Sequence, residues 1–268
     1  MRLDVILRLA QDRFLVPSLR GDLSRQVCVV VDVLRASSTI VTMLEQGVEG
    51  VLVAATIAEA RRLARELPGY LLCGEEGGLP PAGFDYGNSP REFSTLDLRG
   101  RRAILCTTNG TRALMAAAAA PLVLVGCLLN ASAVAQAAAT TAATGGLDIT
   151  IVCAGDEGGT AFAAEDALGA GAILDALVSP PPEADQPPAD GRREAARLEL
   201  TDEARAALES FRAQRGREEA ALGETPHGRE LVALGLADDV SFCAGRDVSA
   251  IVPRLERVQG RLRLVALA

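Results

Sequence analysis

The chain contains no lysine and no tryptophan, and its one histidine is His227. Without lysine, a Schiff-base amine and a P-loop lysine are both excluded, and every cationic side chain is an arginine. A single histidine cannot build a His-rich zinc site, and a Ser-His-Asp arrangement would have to use His227. A bound metal would therefore be held by oxygen atoms, a donor set that suits Mg²⁺, Mn²⁺ or Ca²⁺ better than zinc or copper. Aromatic residues are 3% of the 268 residues and hydrophobic residues 49%, so Ala, Val and Leu must fill the core. No two of Cys28, Cys73, Cys106, Cys127, Cys153 and Cys243 form a C-x-x-C pair. The first five lie in or at the end of apolar runs, as expected of buried, reduced thiols in a cytoplasmic protein. No signal peptide is visible, and the most apolar stretch, 113–129, is broken by Pro121 and Gly126, which reads as a helix end and a buried strand, not a membrane span. The net charge of −8 offers no basic face for nucleic acid. An anionic ligand then needs a local cluster of arginines or a metal. The sequence leaves room for a homo-oligomer.

Short apolar runs alternate with Ala-rich stretches. Strands are predicted at 4–9, 27–33, 50–54, 70–73, 102–106, 122–128 and 149–153, and helices at 38–46, 57–67, 110–120, 131–143 and 161–178. The continuous apolarity of the central runs suits strands covered on both faces. The expected fold class is α/β, a three-layer α/β/α arrangement around a mostly parallel, or mixed, sheet. Region 1–178 carries the motifs. The Pro-rich, acidic stretch 179–197 reads as a loop or linker, and 198–268 as a C-terminal α/β region packed into the same domain. There a helix is expected at 202–215, another opened by Pro226 over 227–234, a short one at 238–243, and a last strand at 261–266.

Four polar, Gly-rich segments each follow a predicted strand: DVLRASST (32–39), GEEGG (74–78), TTNGTR (107–112) and AGDEGGT (154–160). In an open parallel sheet ligands bind beyond the carboxyl ends of strands, so the segments are expected to meet in one crevice. Asp32 leaves an apolar strand, where a carboxylate needs a partner such as a metal or Arg35. Ser37 and Ser38 open a helix, which suits an anion and equally suits an ordinary N-cap. Leu34 stands where haloacid-dehalogenase-type phosphatases carry a second Asp, which argues against that chemistry. Thr107, Thr108, Asn109, Gly110 and Thr111 precede an Ala-rich helix and read as a phosphate cradle or as a capped helix start. Glu165 and Asp166 sit near a helix start, where acids complement the dipole; alternatively they bind metal with Asp32 and Glu75. Cys106 and Arg112 have the bare C-x5-R spacing of cysteine-dependent phosphatases, a weak signal.

Taken in order, DVLRASST, GEEGG, GFDYGNSP (83–90), TTNGTRA, CAGDEGG, the later Glu-Asp pair and the stretch 228–253 resemble the 2-phosphosulfolactate phosphatase family. The resemblance implies a three-layer α/β/α fold and a Mg²⁺-dependent phosphatase that releases phosphate from a small anionic phosphate ester, 2-phosphosulfolactate, on a route toward coenzyme M. On this basis Asp32, Arg35 and Glu75 are expected to be catalytic. Asp32, Glu75, Glu165 and Asp166 would hold the metal, and Ser37, Ser38 and Thr107 to Thr111 the phosphoryl group. Glu76 stands where the family commonly has Arg, a charge reversal beside the expected site.

Overall fold

The computed structural model describes residues 1–8, 23–179 and 198–267. The Pro-rich stretch expected to be a loop lies outside the described residues beyond Ser179, as does the end of the first predicted strand. The described chain begins β1 (Arg2–Ile6), β2 (Gln26–Val31), α1 (Ala36–Glu45), β3 (Val51–Val53), α2 (Ile57–Glu66), β4 (Tyr70–Gly74), α3 (Pro90–Phe93), β5 (Arg102–Cys106) and α4 (Gly110–Ala117). It continues with β6 (Leu122–Gly126), α5 (Ala131–Gly145), β7 (Asp148–Cys153) and α6 (Ala164–Val178). After the undescribed stretch come β8 (Glu199–Leu200), α7 (Asp202–Gln214), α8 (Glu218–Gly223), α9 (Pro226–Ala233), α10 (Ala237–Cys243), β9 (Pro253–Val258) and β10 (Arg261–Ala266).

The strands form one mixed ten-stranded sheet in the order β4-β5-β3-β10-β9-β6-β2-β7-β1-β8. Pairing is parallel within β4-β5-β3 and within β6-β2-β7-β1-β8. The β9–β10 hairpin joins the groups and pairs antiparallel with β3 on one side and β6 on the other. Direction thus reverses three times between β3 and β6, and the two parallel groups run opposite ways. A shared carboxyl edge, the expectation for an all-parallel sheet, does not exist.

Alternation along β2 sorts its side chains between two cores. Val27, Val29 and Val31 pack with α5, α6 and α7 residues, whereas Cys28 and Val30 pack with α1 and α4 residues. A smaller core under α2 takes Leu52, Leu72 and Ile104. Helices therefore cover both faces, giving the three layers. α6 and α7 approach closely at Gly171, where an added Cβ would meet Ala207 O at 2.2 Å. The buried Asp175 of α6 is paired with Arg212 and Arg215 on and just after α7.

Two placements matter for the site. α4 follows β5 but lies over β2 and β7 of the other group, so its N-terminus reaches the end of β2. Thr225 caps α9, accepting from Gly228 N at 3.0 Å, with Pro226 in the first turn; this fixes His227 at the start of that helix.

Candidate active site

Asp32 follows β2 and is tied to the start of α1. Its Oδ1 accepts from Ala36 N at 3.0 Å, its N–H donates to Ser37 Oγ at 2.9 Å, and its carbonyl accepts from Ser37 N at 2.8 Å. The residue is only 7% exposed, yet among the described residues no hydrogen bond reaches Oδ2. That oxygen faces Gly110, where an added Cβ would stand 2.7 Å from it; the cradle glycine is needed for close approach. Burial pushes the Asp32 carboxyl up to about 6, and the charges of Glu75 and Glu165 push the same way, against the Ala36 N–H and His227.

The segment after β5 closes on Asp32 from the other group of strands. Thr107 Oγ1 accepts from Thr111 N at 3.2 Å, and Thr111 Oγ1 donates to Thr107 O at 2.8 Å. Asn109 Oδ1 accepts from Gly158 N at 2.8 Å, which pins the turn to the segment after β7. Glu75 grips the same turn: Oε1 accepts from Thr108 N at 2.7 Å and Oε2 from Gly78 N at 3.1 Å. Among the described residues, the Asn109 and Gly110 N–H groups have no protein acceptor. Two free donors thus lie at the positive end of α4 beside an unclaimed carboxylate oxygen, an arrangement suited to an anion, with Asn109 in the cavity lining and Gly110 buried behind it.

These groups open on a cavity of about 200 Å³. All four Gly-rich segments contribute to its lining, through Asp32 and Arg35, through Glu75 and Gly78, through Thr107, Thr108 and Asn109, and through Asp156. Arg35, 3% exposed, follows a cis Leu34–Arg35 peptide bond. Its Nη1 donates to Asp239 Oδ2 at 2.6 Å and its Nη2 to Gly78 O. Asp239 in turn accepts from the Ser89 hydroxyl at 2.6 Å, so the guanidinium is fixed in place.

The polar lining residues His227, Glu230 and Asn88 were given no site role from sequence. His227 stands in the wall with Nδ1 3.3 Å from Glu230 Oε2. Pro226 signalled its helix, but nothing local signalled that α9 folds back over Asp32. Asn88, 4% exposed, is the third; its Oδ1 is buried with no hydrogen-bond partner, a state that costs about 1–3 kcal/mol. It lies in the GFDYGNSP motif, where no role was assigned to it.

Several expected ligands lie elsewhere. Ser37 and Ser38 do not line the cavity: Ser37 Oγ accepts from Asp32 N, and Ser38 Oγ donates to Val33 O at 2.9 Å. Thr111 is fully buried and bonded to Thr107. Asp166 lies beneath the site with both oxygens taken, Oδ1 by Val33 N at 2.9 Å and Oδ2 by Gly155 N at 2.9 Å. Its carboxyl is raised by burial and by the charges of Asp32 and Glu165, so it serves as a strut between two loops. Glu165, also raised by burial, is buried outside the lining. Arg35 is not a free guanidinium but a paired one. Cys106 is buried and its thiol is pushed up to about 11, by burial first and then by Glu75, Glu59 and Glu76, the opposite of what a nucleophilic thiolate needs. Arg112 is exposed and packs over Gly158.

An α/β fold with a helix N-terminus aimed at a buried carboxylate defines an enzyme that handles a small anion. Comparison with known proteins makes this specific. The family profile described as 2-phosphosulpholactate phosphatase matches residues 15–257. Proteins named "Probable 2-phosphosulfolactate phosphatase" align over most of both chains. The one from Pseudothermotoga lettingae is 38% identical over 230 residues, 85% of this chain and 89% of its own. Those from Carboxydothermus hydrogenoformans (36%, covering 87% of this chain and 88% of the relative) and Deinococcus radiodurans (38%, covering 85% and 87%) are similar. The chain belongs to the 2-phosphosulpholactate phosphatase family and is a phosphoric monoester hydrolase. No described helix is long and apolar enough to cross a membrane.

Proposed function

We propose that the chain hydrolyses 2-phosphosulfolactate to sulfolactate and inorganic phosphate, with Mg²⁺ as cofactor. The observation that carries the reading is the free Oδ2 of Asp32, at the cavity beside the unoccupied N–H groups of α4. The relatives' shared name supplies the substrate.

The donor set fits the ion. Asp32, Glu75, Asp156 and Glu230 line the cavity against Arg35 and His227, so a phosphate dianion meets a surplus of carboxylates unless a cation offsets them. Mg²⁺ prefers oxygen donors and usually takes one or two carboxylates, several waters and phosphate oxygens. Among the described residues no three His, Cys, Asp or Glu side chains are grouped to hold a metal. On this reading the ion would be held by Asp32 through its free Oδ2, with water and substrate completing the shell; Glu75, whose oxygens already accept from Thr108 N and Gly78 N, would join only through its remaining lone pairs. When bound, the ion supplies neutralisation of the phosphoryl charge and activation of water.

The chain's own groups do the rest. The Asn109 and Gly110 N–H donors and the α4 dipole bind phosphoryl oxygens, with the Thr107 and Thr108 side chains beside them. Arg35, held by Asp239, adds fixed positive charge. His227 delivers a proton to the leaving alkoxide, oriented by Glu230. Glu76, which departs from the family's usual Arg, is exposed and lies outside the lining, so it does not contact a ligand in the cavity.

The test is phosphate release from 2-phosphosulfolactate, with Mg²⁺ and with EDTA, beside other small phosphate esters. The expected result is Mg²⁺-dependent release that favours 2-phosphosulfolactate. Release from another ester alone would discard the substrate and keep the mechanism, whereas activity surviving EDTA would discard the metal. For His227→Gln, kcat on 2-phosphosulfolactate should fall about 100-fold. The loss should be far smaller on p-nitrophenyl phosphate, whose leaving group needs no proton; equal losses would remove His227 as the acid.

A further inference from the structure

We propose that Asn88 determines substrate specificity: its side-chain amide, in the cavity that Arg35 also lines, receives the substrate's second anionic group, a carboxylate or sulfonate. The inference rests on the reading of the cavity as the site of a phosphatase for a multiply charged acid, and it names the part of the site that recognises what is not phosphate.

The amide is idle and its surroundings are not. Asn88 is 4% exposed, it lines the cavity, and its Oδ1 has no partner. Among the described residues Nδ2 donates to no protein acceptor either. The main chain at this position is firmly placed, because Asn88 O accepts from the Thr39 hydroxyl at 3.2 Å. The next residue, Ser89, is bonded to Asp239, and Asp239 to Arg35. A network of buried hydrogen bonds thus holds the backbone of Asn88 on the Arg35 side of the cavity and leaves the amide over. Oδ1 is a shielded acceptor and does not meet an anion; Nδ2, a donor neither shielded nor paired with protein among the described residues, is the end open to a ligand at the cavity wall.

Charge says which ligand. The α4 N-terminus and Asp32 account for a phosphoryl group and contain nothing that reads the remainder of the molecule. Elsewhere the lining is rich in carboxylates, which repel an acid. Among the described lining residues Arg35 is the one guanidinium, and its bonds to Asp239 and Gly78 leave further N–H donors. A neutral amide in the same lining adds a donor, Nδ2, to an anionic oxygen without adding repulsion. A carboxylate or sulfonate is therefore received on the Arg35–Asn88 side while the phosphoryl group sits on the cradle.

The test uses the full-length protein with Mg²⁺ and two substitutions, Asn88→Ala and the isosteric Asn88→Asp. Calorimetry with sulfolactate and with inorganic phosphate separates the two halves of the substrate, and thermal melts check the fold. Sulfolactate binding should weaken at least tenfold in Asn88→Ala and about a hundredfold in Asn88→Asp, which adds a repelling charge. Phosphate binding should change much less. The ratio of kcat/KM for 2-phosphosulfolactate over that for p-nitrophenyl phosphate should fall at least tenfold. Equal weakening of both probes, no weakening of sulfolactate, or a lowered Tm in both variants would overturn the proposal, the last because it would make the amide structural. Wild-type protein that binds sulfolactate without turning over 2-phosphosulfolactate would defeat the proposed function and leave this subsite standing. Wild-type protein that does neither would defeat both.

Discussion

The chain opens α1 and α4 with similar letters, ASST after a buried Asp and TTNGT after a buried strand, and puts them to different uses. At α1 the hydroxyls and N–H groups close on themselves. Ser37 and Ser38 bond to neighbouring main chain, Ala36 N is taken by Asp32, and Val33 N by Asp166. At α4 the Asn109 side chain is drawn off to Gly158 and Thr108 N to Glu75, which leaves the next donors facing the cavity. Composition at a helix start therefore marks where an anion could bind, and only the tertiary hydrogen bonds decide whether it does. The α1 start is a rigid mount for Asp32, and the α4 start is the one left with donors to offer a ligand.

The largest effect should come from joining the two at their meeting point. Asp32→Asn keeps an acceptor for Ala36 N and removes the charge at Oδ2, so kcat should fall at least about a thousandfold while the circular dichroism spectrum stays native. Wild-type turnover in a folded variant would remove Asp32 from the mechanism. Next is Gly110→Ala, which places a Cβ 2.7 Å from both Asp32 Oδ2 and Ala36 Cβ. Prising the cradle from the carboxylate should cost about 100-fold in kcat/KM; a change under threefold would mean that the two starts are not coupled. The α1 counterpart is Ser38→Ala. Losing a buried hydrogen bond should lower stability by about 1–2 kcal/mol and leave kcat within about threefold, as chemical denaturation and steady-state kinetics would show. A large kcat loss at unchanged stability would make Ser38 a ligand after all.

The last effect is in the pH dependence of the Mg²⁺-free protein. Asp32 titrates near 6 when folded and about 3.9 when unfolded, so the folded state binds its proton more tightly. The stabilisation this gives is complete below about pH 4 and is lost as pH rises through about 6, an effect of up to about 3 kcal/mol. Tm should therefore fall between pH 5 and 7.5 by less in Asp32→Asn than in wild type. Identical slopes would show that Asp32 is not the group being titrated.

Much of the fold could be read from apolar runs. β5 and β10 occupy the residues predicted, and most other predicted elements appear with ends shifted by a few positions. The β9 strand was missed because PRLERV begins with proline and alternates charge with apolar residues on a half-exposed surface, a weak signal for a strand inside a sheet. Missing it hid the hairpin, and with it the reversal of direction between the two parallel groups. At the site, Asp32, Glu75 and the 107–110 turn were legible because carboxylates and glycines at the ends of apolar strands are hard to explain otherwise. The roles of Ser37, Ser38 and Asp166 were not, since each depends on which main-chain group happens to lie opposite. His227 and Asn88 were invisible for the same reason: what makes them notable is their position across the fold.

The hairpin also sets an order of events during synthesis. β9 and β10 follow every other described strand in the chain, yet they fill the middle of the sheet. Until residues 253–266 have been made, the edges of β3 and β6 that face each other across the sheet lack the partners they have in the fold, and any half-sheets formed by then would carry open seams. Glu75 and the 107–110 turn grow from one half, Asp32 and Asp156 from the other. The last-made of the described strands are thus the ones that stitch the halves together.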